Sequence, residues 1–418
     1  MGVASLTQHG ERSSDFRRFW WGEAVSGLGS AITSLALQTL VLVTLQGGAV
    51  QVGWLNSARW LPYLVLGLVV GALVDRVRRR PVMVVTDVAR AGLLGLIPLA
   101  WAFGALSLPL LLVVVVLFGT ASLFNDAASL SFVPRLVSRG QLQRAHARLD
   151  GASAVAQTAG PAVAGMLIRV LGAPLSVLVD ALTYLFSAVM VASLKGVSEP
   201  TAATPATGGA RGLAKEVLDG ARWAYGASGL RRLALATHVW FAGQAILLVL
   251  VVPYGYLQLD LSPLQLGLVF AVAGLGALIG AALSTRVGVR LGTGGAIICS
   301  YLVTAFGVMI MMTAASVPTG WVGASVLAAG QLCHGWAMGT SNSHEMAFRQ
   351  SRTPDELQSR TNTTLRSFNR AVIVAVSPVA GLLAEAVGYR PTLGAAAAIF
   401  MVSALMLVLS PFRRARVE

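Results

Sequence analysis

The chain has 418 residues, of which 56% are hydrophobic and only 11% charged. Soluble domains carry about 25% charged residues, so this composition excludes a water-soluble enzyme, a disordered chain and a small peripheral anchor, and leaves a polytopic membrane protein. The net charge of +14 invites a nucleic-acid reading, but a multi-span protein also gathers Arg and Lys in its cytoplasmic loops, and the positions of the charges decide between the two.

Taken in chain order, the first 18 residues are polar and hold Arg12, Arg17 and Arg18. No cleaved leader is expected, because the apolar run that follows is long enough to stay as a span. Twelve spans are predicted, at 19–43, 52–72, 82–102, 107–129, 149–171, 174–194, 233–256, 264–285, 294–315, 320–342, 364–387 and 391–411, each near the ~20 residues a crossing needs. With the N-terminus inside, 25 of the 31 basic residues fall in the ends and inner connections, against Arg390 in an outer one and Arg169 at the outer end of the fifth span. That asymmetry predicts cytoplasmic N- and C-termini and accounts for the charge without nucleic acid.

The longest connection follows the sixth span. Ser198 to Gly209 reads as a flexible linker. From Gly212 an amphipathic helix is expected, with Leu213, Val217, Ala221 and Ala224 on one face and Lys215, Glu216, Asp219 and Arg222 on the other, suited to the cytoplasmic interface. The predicted domains are residues 1–195, a linker over 196–232, and residues 233–418. The halves repeat: Pro161 and Pro378 are 217 apart, and Gly165 and Gly381 are 216 apart. Such duplication builds secondary transporters, with the ligand site between halves near mid-membrane.

The second and third spans are joined by Gly71-Ala72-Leu73-Val74-Asp75-Arg76-Val77-Arg78-Arg79-Arg80. This resembles the signature of the major facilitator superfamily, G-x-L-x-D-R-x-G-R-R/K, with Gly71, Leu73, Asp75, Arg76, Arg79 and Arg80 matching and Arg78 in place of the second glycine. The resemblance implies an all-α membrane fold of twelve helices in two pseudo-symmetric six-helix bundles. It also implies that Asp75 faces the N-terminus of the eleventh span, where free N–H groups favour an anion, and that the arginines pin neighbouring helix ends. Phe16 to Trp20, Ala58 to Pro62, Gln141 to Ala145 and Asp180 to Tyr184 are similar to the drug/proton antiporter branch that includes macrolide and siderophore exporters. Gly160-Pro161-Ala162-Val163-Ala164-Gly165 resembles the antiporter motif of exporters. Two readings of it stand side by side, close helix packing by small residues and a direct part in exchange.

Enzyme and metal signals are absent from the sequence. Neither lysine lies in a phosphate-binding Gly-Lys-Ser/Thr context, and His344-Glu345 has Phe348 where a zinc site needs its second histidine. Cys299 and Cys333 fall in apolar runs with no metal or disulfide spacing. No cofactor is expected, and uphill transport would draw on a proton gradient.

Polar residues inside spans are the functional candidates, because each costs a few kcal/mol at the bilayer centre unless it is paired or hydrated. Asp126 is the candidate proton-coupling acid, with capping or pairing to arginines as its other reading. Gln38, Arg59, Gln244, Gln331, His334, Arg366 and Arg370 are candidates for the cavity: the resemblance implies that the spans of Gln38, Gln244, Gln331 and His334 line it, a merely hydrogen-bonded buried histidine being the other reading of His334, and Arg59 suits either an anionic substrate group or a structural pair. Arg366 and Arg370 could face Asp126, Glu345 or Asp75. Asp87 and Arg90, three residues apart on one helix, should satisfy each other, and Asp180 is assigned to packing.

The function expected is export of a small amphipathic or hydrophobic compound, such as a drug, antibiotic or siderophore, by proton antiport with alternating access, from the cell membrane of a bacterium. The partners expected are substrate, protons and the bilayer, with no nucleic acid; the sequence carries no signature of oligomeric state, and a monomer suffices. The alternatives are an importer or facilitator of a small metabolite, and a non-transporting membrane receptor.

Overall fold

A computed structural model describes residues 2–74, 77–194, 218–226 and 229–416, the side chains of 2–13, 68, 71, 72, 139 and 359 excepted. Among the described residues there is no strand. The N-terminal half comprises α1 (Gly2–Thr39, prolonged by a π-helical turn Leu40–Thr44), α2 (Ala49–Val65), α3 (Gly67–Val74), α4 (Arg79–Ala102), α5 (Leu108–Leu136), α6 (Leu142–Leu171) and α7 (Ala173–Ala192). A connecting helix, α8, is described over 218–225. The C-terminal half comprises α9 (Arg231–Leu257), α10 (Pro263–Thr313), α11 (Trp321–Arg352), α12 (Asp355–Val387) and α13 (Tyr389–Val408).

Nine helices among the described residues are long and apolar enough to cross a bilayer. Three more crossings have specific disguises. α2 and α3 form one crossing interrupted at Leu66, one turn after Pro62, whose ring removes a helix donor. α11 crosses with polar residues in its second half, from Ser341 to Arg352. α10 holds two crossings. The sequence reading separated these as 264–285 and 294–315, but the helix runs through the intervening residues and turns only at Gly292, with φ +71°. That left-handed geometry is open to glycine at no steric cost, so a single residue performs a reversal that the sequence reading assigned to a loop.

Successive crossings alternate in direction, so both chain ends and α8 share one face, here the terminal face; the other is the far face. The last turn of the chain, Pro411–Arg414, closes the terminal end of the α10 bend. There Gly294 N–H donates to the Ala415 carbonyl at 3.0 Å, and Phe412 meets Phe348 edge-on at 4.9 Å.

Residues 213–217 of the expected amphipathic helix lie outside the described residues. The described part, α8, packs on the protein: Ala224 packs with Ala234 and Leu365, and Asp219 pairs with Arg360 at 3.6 Å. Small residues on one face let the helix dock on α12. Burial holds the Tyr225 phenol above its ordinary value, and its hydroxyl meets His238 Nε2 at 2.6 Å.

The halves meet along two seams, α2 against α12 and α6 against α10. Toward the far face both seams are backbone on backbone. A methyl group at Gly53 would stand 2.5 Å from the Ser377 carbonyl oxygen, and one at Gly381 would stand 2.5 Å from that of Ala49. Side chains at Gly165 or Gly267 would overlap the Pro263 and Pro161 carbonyls. These glycines are required by contact, since the seams sit where no side chain fits. Within the C-terminal half, Gly276 and Gly280 of α10 lie against the backbone of Leu332 and Trp336 in α11.

Candidate functional site

One cavity lies between the halves and another inside the N-terminal half. The larger, about 780 Å³, opens between α6 of one half and α10 and α11 of the other. Its walls are apolar at Pro161, Phe270 and Met338 and polar at Gln157, Asn342 and Ser343, and it reaches His334. This volume lies in the range of small-molecule sites. It lies on the terminal-face side of the Gly165–Gly267 contact, which closes the α6–α10 seam toward the far face.

Of the sequence candidates, His334 lines that space. His334 is buried and stacks on Trp240, with ring centroids 6.2 Å apart and an interplanar angle of 11°. The buried atoms His334 Nδ1, Trp240 Nε1, Gln38 Oε1 and Gln244 Oε1 have no protein hydrogen-bond partner. Buried polar atoms are nearly always partnered, so these atoms on α1, α9 and α11 are donors and acceptors available to water or to a ligand. Gln331 is 4% exposed, one turn from His334.

The smaller cavity, about 140 Å³, lies wholly inside the N-terminal half between α1, α2, α4, α5 and α7. It is lined by Arg59, Tyr63, Arg90, Asp126 and Tyr184 among others. Helix spacing explains the cluster: Arg59 and Tyr63 are one turn apart on α2, and Asp87 and Arg90 nearly so on α4. Arg90 pairs with Asp87 in a site where the two side chains are 9% and 1% exposed, as the sequence spacing predicted. Asn125 donates to Asp87 Oδ1 at 3.1 Å. The Arg90 guanidinium also covers the Tyr184 ring at 4.1 Å, and the Tyr184 hydroxyl lies 2.7 Å from Ser30 Oγ.

Asp126 is held by the Tyr63 hydroxyl, which donates to its Oδ2 at 2.7 Å. Arg370 meets the aromatic neighbours of Asp126: its guanidinium lies 4.6 Å from the Tyr63 ring and 5.9 Å from that of Trp60. Arg366, one turn away, is exposed. Glu345 is engaged elsewhere, accepting from the Tyr301 hydroxyl at 3.0 Å. Arg59 donates to Ser34 Oγ at 2.7 Å. Glu23 accepts from Ser129 Oγ at 3.1 Å. Asp180 is fully buried, accepts from Thr183 Oγ1 at 2.9 Å, and sits over Gly29, where a methyl group would overlap its carboxylate.

The motif between the second and third spans is seen in part. Gly71 and Leu73 fall in α3, while Asp75 and Arg76 lie outside the described residues. Arg79 is buried at the start of α4. Arg80 donates to the Val191 carbonyl at 3.2 Å and to that of Ala192, and Arg18 donates to the Ser193 carbonyl at 2.8 Å. Two cations therefore satisfy the last carbonyls of α7, where the helix dipole favours positive charge. In the α6 motif, Gly160 lies against Ala31 of α1, 2.5 Å from Cβ to Cβ were it alanine. Gly165 forms the seam to α10, so the motif serves both intra-half and inter-half packing. Sequence reasoning missed Tyr63, Trp240 and the Tyr184–Arg90 contact. Tyr63 carries a readable signal, one turn after Arg59, but aromatic residues in spans are too common to single it out.

Two six-span halves with a cavity between them have the build of a polytopic transporter. The Major Facilitator Superfamily model matches residues 19–343 and 233–417, and the chain belongs to that family. It is 28% identical over 270 residues to the multidrug efflux pump Tap of Mycobacterium tuberculosis, an alignment covering 62% of each chain. It is 29% identical over 184 residues to macrolide efflux protein A of Streptococcus pyogenes, covering 43% of this chain and 44% of that one. The chain thus matches less than two thirds of the length of these relatives. Among solved structures, a bacterial homologue of the iron transporter ferroportin in an inward-facing state superposes with a TM-score of 0.76 at 14% identity, covering 96% of this chain and 99% of that one; the likeness is one of fold.

Proposed function

We propose that the protein exports a small amphipathic or hydrophobic compound from the cytoplasm by alternating access, driven by proton entry. The observation that carries this reading is the 780 Å³ cavity with mixed polar and apolar walls, which lies between the halves on the terminal-face side of the tight Gly165–Gly267 contact. The charge asymmetry of the sequence assigns the terminal face to the cytoplasm, which makes the described state the one that loads cytoplasmic substrate. The efflux names of the relatives support the direction. Asp126 is the proposed proton carrier: its carboxyl is enclosed in the N-terminal half and bonded to Tyr63, which itself carries Arg370 of the other half. A change in its protonation would therefore be felt across the boundary between halves. The proposed units are residues 1–195, the linker 196–232 and residues 233–418, and Asp75 is proposed to face the N-terminus of the eleventh span.

Uptake of a fluorescent efflux substrate into inverted membrane vesicles tests the reading. Acidifying the vesicle lumen should drive accumulation, and collapsing the pH gradient should abolish it. Filling the cavity with Gln157→Trp should lower accumulation with the protein still in the membrane. Accumulation indifferent to the pH gradient would remove the antiport mechanism.

A further inference from the structure

Pseudo-symmetry exposes one irregularity at the far face. α2 and α10 are counterparts: each begins there, each meets the other half through an early glycine (Gly53, Gly267), and each has a glutamine three residues after its N-cap (Gln51, Gln265). α10 is capped from within. Ser262 Oγ accepts from the Gln265 N–H at 3.4 Å, and the Gln265 side chain accepts from the Ser262 N–H at 2.8 Å, the reciprocal arrangement that satisfies two orphan donors. α2 has only the second of these bonds, Gly48 N–H to Gln51 Oε1 at 2.7 Å, because its N-cap residue is Gly48, which has no side chain.

The missing acceptor comes from the other half. Glu385, in the last turn of α12, accepts from the Val50 N–H at 3.0 Å. Gly48 is what admits it: a methyl group there would stand 2.5 Å from Glu385 Oε1. An anion at a helix N-terminus is favoured both by the free N–H groups and by the helix dipole. The α6–α10 seam has no such contact to make, since Arg169 follows Gly165 at the spacing with which Glu385 follows Gly381, and a guanidinium cannot accept.

We propose that Glu385 is a positioning residue for transport: it caps α2 in trans, holds the far face shut, and is released each time the halves part there. This rests on the alternating-access reading above. A contact made in one state and lost in the other shifts their ratio by its own free energy, so the cap favours the state open to the terminal face.

The test measures the far-face opening without transport. In full-length protein with Cys299→Ser and Cys333→Ser, spin labels are placed at Phe103 and Trp321, which are exposed at 82% and 62% on opposite halves of the far face, and their distance distribution is read by pulsed electron resonance. Glu385→Ala should raise the ratio of the long-distance to the short-distance population by about tenfold. Gly48→Ser should do the same while giving α2 a cap of its own, as Ser262 gives α10, so the variant folds but the halves are unlinked. Either variant keeping the parental distribution overturns the proposal. Because this readout needs no substrate, failure of the vesicle experiment with the distance shift present would remove the export reading and leave the latch.

Discussion

The guanidinium of Arg370 lies 4.6 Å from the ring of Tyr63, across the boundary between halves, while the Tyr63 hydroxyl donates to Asp126. One aromatic residue thus joins a cation of the C-terminal half to an acid of the N-terminal half. The Asp126→Asn variant should abolish proton-driven export in vesicles yet leave downhill substrate exchange measurable. Arg370→Ala should weaken coupling more mildly, by a few-fold, in keeping with about 1 kcal/mol for a partly desolvated cation–π contact. Full proton-driven export by Asp126→Asn would transfer the coupling role to another acid, with Glu23 or Glu345 next in line.

The Asp87–Arg90 pair should act on stability. Removing one partner of a buried pair costs about 3–5 kcal/mol, because the other charge is left without compensation. Asp87→Asn alone should therefore give much less monodisperse protein after detergent extraction, and Asp87→Asn with Arg90→Gln should recover part of it. Equal yields from the single and double variants would contradict the pairing.

Asp180 should behave as a packing residue. Its carboxylate fills the space over Gly29, and Thr183 donates to it. Gly29→Ala should lower the thermal midpoint, by an amount typical of overpacking at about 1–3 kcal/mol. Asp180→Asn should lower expression while the protein that remains stays proton-coupled. Loss of coupling with normal expression would make Asp180 part of the proton path.

The far-face seams predict a conformational phenotype. Gly381→Ala places a methyl group 2.5 Å from the Ala49 carbonyl oxygen, a clash present only while that face is closed. Thiol labelling of single cysteines near the far ends of α2 and α12 should become faster in this variant, and unchanged labelling would show that the backbone yields instead.

Topology is checked by reporter fusions. Fusions after Gly196 and at Glu418 should report a cytoplasmic location, and fusions at Gly47 and Pro318 an external one. An external C-terminus would overturn the assignment of the open cavity to the cytoplasm.

Much of this protein was decided by the sequence alone. A chain with so few charges must satisfy its backbone internally in lipid, and helices do that within one segment, so the number of crossings followed from apolar run lengths. The paired Pro161/Gly165 and Pro378/Gly381 announced the two halves, and the three-residue spacing of Asp87 and Arg90 announced their pairing, because both signals are local or periodic. Tertiary structure decided what depends on which helices meet. No local pattern tells that Arg370 reaches Tyr63, that α8 docks on α12, or that Glu385 completes the cap that Gly48 lacks; those partners lie 307, 141 and 337 residues apart for the pairs 63–370, 219–360 and 48–385. The bend at Gly292 escaped the sequence reading because a glycine in an apolar run looks the same whether it packs a helix or reverses it. Only the neighbours it meets, here Ala415 and Arg416, determine which.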